Sequence, residues 1–97
     1  MIIKLKKIGA TLISRQTGKE AFLAIQPILK NAKKDELIKV DFIDVLTFSP
    51  SWGDEFLTPL LNKYGEKLIL KNTNNPSVQI TLEVLQESLN KKFNIRN

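Results

Sequence analysis

The spacing between apolar residues switches repeatedly between two and three-to-four along this chain, and that switching leaves few folds open to it. Ile3 and Leu5 alternate with Lys4 and Lys6, which predicts a half-buried strand whose lysines suit an exposed edge. Thr11-Leu12-Ile13-Ser14 follows as a second short strand, and Gly9 can supply the turn of an N-terminal hairpin. Ala21, Phe22, Ile25, Ile28, Leu29 and Ala32 then recur at helical spacing, with Thr17 and Glu20 placed as a capping box. Leu37 to Ile43 is the strongest strand and is expected at the centre of the sheet; residues 44–48 continue it after a bend. Phe56, Leu57, Leu60, Leu61 and Tyr64 mark a second helix ended by Gly65, and Lys67 to Lys71 a short buried strand.

The last third is ambiguous in period. Val78, Ile80, Leu82 and Val84 alternate as in a strand, while Val78, Leu82, Leu85, Leu89 and Phe93 repeat as in a helix. The length of the stretch and the Asn75-Pro76 start favour the helix. Pro27 and Pro59 fall inside predicted helices, and each should kink its helix or lie at its end. Strands alternating with helices imply crossover connections. The expectation is an α/β domain over residues 1–97: a single-layer, mixed but mainly parallel sheet of about four strands with three helices.

What the chain lacks narrows its chemistry. Among its 97 residues there is no cysteine and no histidine, which removes disulfides, thiolate metal sites and the commonest general base. No catalytic residue, metal site or cofactor is expected. No apolar run approaches the roughly 20 residues of a membrane span, and Met1-Ile2-Ile3-Lys4 is too short and too soon charged for a signal peptide, so a cytoplasmic location is expected. The net charge of +5 is unevenly spread: residues 1–39 carry nine basic and three acidic side chains, residues 40–66 one and five, residues 67–97 five and two.

The acidic middle contains the least generic stretch, Ser49-Pro50-Ser51-Trp52-Gly53-Asp54-Glu55-Phe56, placed where a strand gives way to a helix. Serines there can cap the helix, and its positive end also favours a phosphate. Asp54 and Glu55 are expected in the first turn, where they stabilise the helix and would repel a phosphate on Ser51. Trp52 is either core or a partner anchor. Arg15 is either an exposed loop residue or the partner of Asp41 or Asp44.

Four pieces in order, Leu12-Ile13-Ser14-Arg15-x-x-Gly18, Asp41-Phe42-x-x-Val45, Ser49-x-Ser51-Trp52-x-Asp54-Glu55-Phe56 and Asn72-x-Asn74, resemble the pattern of the STAS-like domain family, relatives of the anti-sigma factor antagonists. The likeness covers about residues 5–90. It implies a regulatory fold in which a serine in the turn is phosphorylated by a partner kinase. Set against the antagonists' Asp-Ser-Ser-Gly turn, Ser51 matches the phosphorylated serine, while Ser49, Pro50 and Trp52 replace the aspartate, the first serine and the glycine.

The function expected is therefore a non-catalytic protein-interaction module in bacterial regulation. Ser49, Ser51, Trp52, Asp54 and Glu55 would form its partner-binding surface, and the partner would be an ATP-binding kinase or an anti-sigma-type protein. The chain has no glycine-rich phosphate loop, so any ATP would belong to the partner. Two alternatives compete. Lysines at 4, 6, 7, 30, 33, 34, 91 and 92 suit nucleic acid if they converge on one face. A small enzyme would need a deep pocket holding perturbed ionisable groups.

Overall fold

The computed structural model describes residues 1–97. Its strands are β1 (Ile2–Lys4), β2 (Thr11–Leu12), β3 (Ile38–Asp41), β4 (Thr47–Phe48), β5 (Leu68–Lys71) and β6 (Asn94–Ile95). Its helices are α1 (Arg15–Leu29), α2 (Pro50–Tyr64) and α3 (Pro76–Leu89). The main sheet runs β1-β3-β5-β6, and β2 and β4 form a separate two-stranded ladder. The α/β architecture with four main strands and three helices is the expected one, with β3 in the interior. Every ladder is parallel, so the N-terminal hairpin is not formed. β1 pairs with β3 and β2 with β4, because a 3-10 turn at Leu5–Lys7 carries the chain out of the main sheet before β2 begins.

Strand alternation puts Ile3, Ile38, Val40, Leu68 and Leu70 on the face that meets the helices, where they join a core of 22 buried residues. The opposite face carries Ile2, Lys4, Lys39, Asp41 and Lys71, and also Ile69, which is buried yet lies outside that core. α2 lies between α1 and α3 and contributes Trp52, Phe56, Leu57, Leu60 and Leu61 to the core.

The helix starts show which local signals decided. α1 begins at Arg15, not beyond Thr17, since Ser14 is its cap: the Thr17 N–H donates to Ser14 Oγ at 3.1 Å. α3 starts as expected, with Asn75 Oδ1 accepting from the Ser77 and Val78 N–H groups. It stops at Leu89, because Asn90 adopts a left-handed conformation (φ 53°). Phe93 is therefore buried from the C-terminal segment leading into β6, a strand absent from the sequence reading. Pro27 lies in the last turn of α1, at its expected place near a helix end. Pro59 lies inside α2, which continues five residues beyond it to Tyr64, so this proline does not end its helix. No helix is long and apolar enough to cross a membrane.

Candidate functional site

The parallel pair β2–β4 delivers the chain into α1 and α2 side by side, which brings the stretch around Ser49 against Ile13 to Gly18. Ser49 is the cap of α2: its Oγ accepts from the Trp52 N–H at 3.2 Å and donates to the Ile13 carbonyl at 2.7 Å. Pro50 follows as the first helical residue, where its missing N–H costs nothing. One hydroxyl thus caps a helix and ties it to the neighbouring segment. β4 is fixed from its other side by α3, whose Ser77 hydroxyl accepts from the Phe48 N–H and whose Thr81 hydroxyl donates to the Phe48 carbonyl.

Trp52 is fully buried, so it is a core residue and not an exposed partner contact. It stacks on Phe56 with ring centroids 4.8 Å apart and meets the edge of Phe48 at 5.8 Å; Phe48 in turn meets Phe42 at 5.1 Å. Two glycines let the backbone come close around it. A Cβ on Gly18 would sit 2.6 Å from the Trp52 carbonyl oxygen, so α1 and α2 touch there at backbone distance. A Cβ on Gly53 would sit 2.9 Å from Leu85 and 3.0 Å from Phe48.

Arg15 pairs with neither Asp41 nor Asp44. Its Nη1 donates to Asp54 Oδ2 and to Glu55 Oε1, each at 3.0 Å, bridging the first turn of α1 to α2. Those carboxylates stand five and six positions into α2, beyond its first turn, so the guanidinium stabilises them more than the helix dipole does. The hydrogen bond from Arg15, with a second from the Thr58 hydroxyl at 2.9 Å, holds the Asp54 carboxyl below the usual aspartate range although partial burial opposes this. Asp41 instead accepts from Asn72 Nδ2 at 2.8 Å and from the Ile43 N–H at 3.0 Å, and Asp44 pairs with Lys6 at 3.6 Å.

Ser51 is the second residue of α2, half-buried, and its hydroxyl has no hydrogen-bond partner in the chain. It opens on a shallow cavity of about 180 Å³ lined by Arg15, Pro50, Asp54, Val84, Leu85 and Ser88. The structure thus groups Ser51, Arg15 and Asp54, with Glu55 alongside, keeps Ser49 as the cap beneath them, and removes Trp52 to the core. The α3 residues Val84 and Ser88 were not foreseen, since nothing local in the sequence links them to Ser51.

The other surfaces offer less chemistry. The largest depression, about 740 Å³, lies away from Ser51, and its ionisable residues are Glu66, Lys91 and Lys92, with no pair of carboxylates. No group of three or more metal-ligating side chains is placed to hold a metal. The eight lysines do not all share one face: Lys4 lies on β1 at one edge of the sheet, while Lys91 and Lys92 lead into β6 at the other.

A family model described as a STAS-like domain of unknown function (DUF4325) matches residues 25–78, or 54 of the 97 residues. The match runs from the second half of α1 to the start of α3 and includes the whole turn from Ser49 to Glu55. Arg15 and Gly18 precede it. No curated protein and no solved structure matches the chain.

Proposed function

The chain belongs to the STAS-like domain family, and from that premise we propose that it is a non-catalytic protein-interaction module in bacterial regulation, docking a partner at the turn around Ser51. The partner class is an ATP-binding kinase or an anti-sigma-type protein, and Ser51 is the residue whose state sets the interaction. The observation that carries this reading is the difference between two serines two positions apart. Ser49 is committed to the fold through two hydrogen bonds, whereas the Ser51 hydroxyl is free, at a helix N-terminus, on a surface shared with Arg15.

A phosphate on Ser51 would bring close to two negative charges to the start of α2. The helix end favours them and Asp54 opposes them. Arg15 tips the balance, because both of its present bonds leave from Nη1, and Nη2 and Nε keep their donors for a phosphate. Phosphorylation would then draw Arg15 toward Ser51 and uncover Asp54 and Glu55, changing the charge pattern a partner meets while the aromatic core below stays fixed.

The test measures affinity for the product of the adjacent gene with wild type, Ser51→Ala, Ser51→Asp and Glu55→Lys. Ser51→Ala should bind as the unmodified wild type does. Ser51→Asp and Glu55→Lys should each change affinity about tenfold or more, which is about 1.4 kcal/mol. Binding indifferent to both Ser51→Asp and Glu55→Lys would remove this surface from consideration.

A further inference from the structure

A second surface lies about 20 Å along α1 from Arg15, thirteen residues on at a rise of about 1.5 Å each. There the C-terminal half of α1 runs past β1, the outer strand of the main sheet, and leaves a groove of about 250 Å³ lined by Ile2, Ile3, Ile8, Ile25, Ile28, Lys4 and Lys7. Ile3 and Ile25 form its buried floor, whereas Ile2, Ile8 and Ile28 are 60%, 41% and 53% exposed. Lone exposed isoleucines are ordinary, but three around one slot are a contiguous apolar patch. Two lysines rim it and no carboxylate lines it.

The slot lies beside free backbone. β1 pairs only with β3, and the Lys39 N–H donates to the Met1 carbonyl at 2.9 Å. In a parallel ladder alternate residues face the partner, so Met1 and Ile3 face β3, and the peptide groups of Ile2 and Lys4 point away from the sheet. Proteins often guard such an edge with charged side chains, lysines especially. Here the lysines flank an apolar slot, which makes the edge selective.

We propose that this groove receives an extended acidic segment of a partner protein. The segment would add as a strand along β1, with apolar side chains in the isoleucine slot and carboxylates on Lys4 and Lys7. Charge decides the occupant. A second copy of this chain pairing edge to edge would set Lys4, Lys6 and Lys7 of one molecule against those of the other, with Lys6 alone partnered by a carboxylate, Asp44. An alternating acidic and apolar strand meets both features, and it reaches a surface distinct from the one around Ser51.

The experiment is an NMR titration with a synthetic heptapeptide of alternating Glu and Val, blocked at both ends. One control has the same residues in two blocks and another has Lys in place of Glu. Saturable shifts are expected at the Ile2 and Lys4 amides and at the Ile8 and Ile28 side chains, with exchange of those two amides slowed about tenfold or more. Both control peptides should bind about tenfold more weakly, as should the alternating peptide to Ile28→Asp, whose exposed site leaves the fold intact. Equal binding of the block peptide would reduce the effect to charge attraction and overturn the proposal. So would unslowed exchange at Ile2 and Lys4, or undiminished binding by Ile28→Asp with its Trp52 fluorescence unchanged.

Discussion

The two ends of α1 lead to surfaces of opposite construction. At its N-terminal end internal contacts build a fixed frame around the free Ser51 hydroxyl: Ser49 makes two bonds, Arg15 holds two carboxylates, and Gly18 admits the Trp52 backbone at close range. At its C-terminal end Ile28 stands exposed beside Ile2 and Ile8, and no carboxylate lines the groove beside its two lysines. A partner at the first surface would meet a fixed frame and would work by changing charge upon it. A partner at the second would supply what is missing, apolar surface and negative charge together. Tight internal compensation and open valence are different ways for one helix to be recognised.

Two substitutions test this contrast through stability. Trp52→Ala removes a fully buried ring from a run of four packed aromatics and should destabilise by about 3–5 kcal/mol in chemical denaturation, whereas Ile28→Ala should stay within about 0.5 kcal/mol. A comparable loss in both would make the groove part of the core. Gly18→Ala comes next. Alanine is better than glycine inside a helix by about 1 kcal/mol, but its Cβ would stand 2.6 Å from a backbone oxygen that cannot move without parting α1 from α2. A net loss of about 1–3 kcal/mol is expected; a net gain in stability would show that the helices yield more easily than their contact implies.

How far the sequence disclosed these surfaces follows from the range of the interactions involved. β3, β5, α2 and the Asn75 cap were legible because each is set by local period or by a side chain reaching its own helix. The hairpin expectation failed because Gly9 signals a turn but not which strand comes next; β4, 36 residues beyond Thr11, is what β2 meets. Ser14 and Thr17 both suit a cap, and only the path of the chain after β2 chose between them. In the site, Ser51 was legible from its place at a strand-to-helix turn. The partners of Arg15 were not, since Asp54 lies 39 residues away and several carboxylates were open to it. Trp52 was undecided because a tryptophan suits a core and an interface equally; Gly18 carries the signal that a neighbouring helix packs closely on its backbone.

A third substitution pair separates fold from switch within the turn. Ser49→Ala removes the cap of α2 and leaves the Ile13 carbonyl without its hydroxyl donor, so a loss of about 1–2 kcal/mol is expected. Ser51→Ala removes a hydroxyl with no internal partner and should change stability by less than about 0.5 kcal/mol. Equal losses would assign Ser51 a structural role and weaken its reading as the residue whose state is sensed.

The smallest effect expected is the dependence of stability on acid at Arg15. The Asp54 carboxyl lies below its ordinary range in the folded chain, first because Arg15 donates to it. A lowered folded pKa means that its contribution is fully present above the unfolded value of about 3.9 and is lost as pH falls through the folded value. Two other carboxylates complicate the total. Burial raises that of Asp41, but the bonds from Asn72 and the Ile43 N–H outweigh it and leave the group lowered. The Lys33 N–H and the N-terminal ammonium lower that of Glu36. Both lie outside the Arg15 cluster and act alike in wild type and in Arg15→Gln, so they cancel in the difference between the two. That difference should be level from about pH 5 to 7 and should shrink below about pH 4 as Asp54 takes up its proton. Because Arg15 lies on the surface, added salt should narrow it at neutral pH as well. A difference that stays constant through the acid range would show that Arg15 acts through packing of its side chain, and the first surface would then lack the charge clamp on which the proposed switching depends.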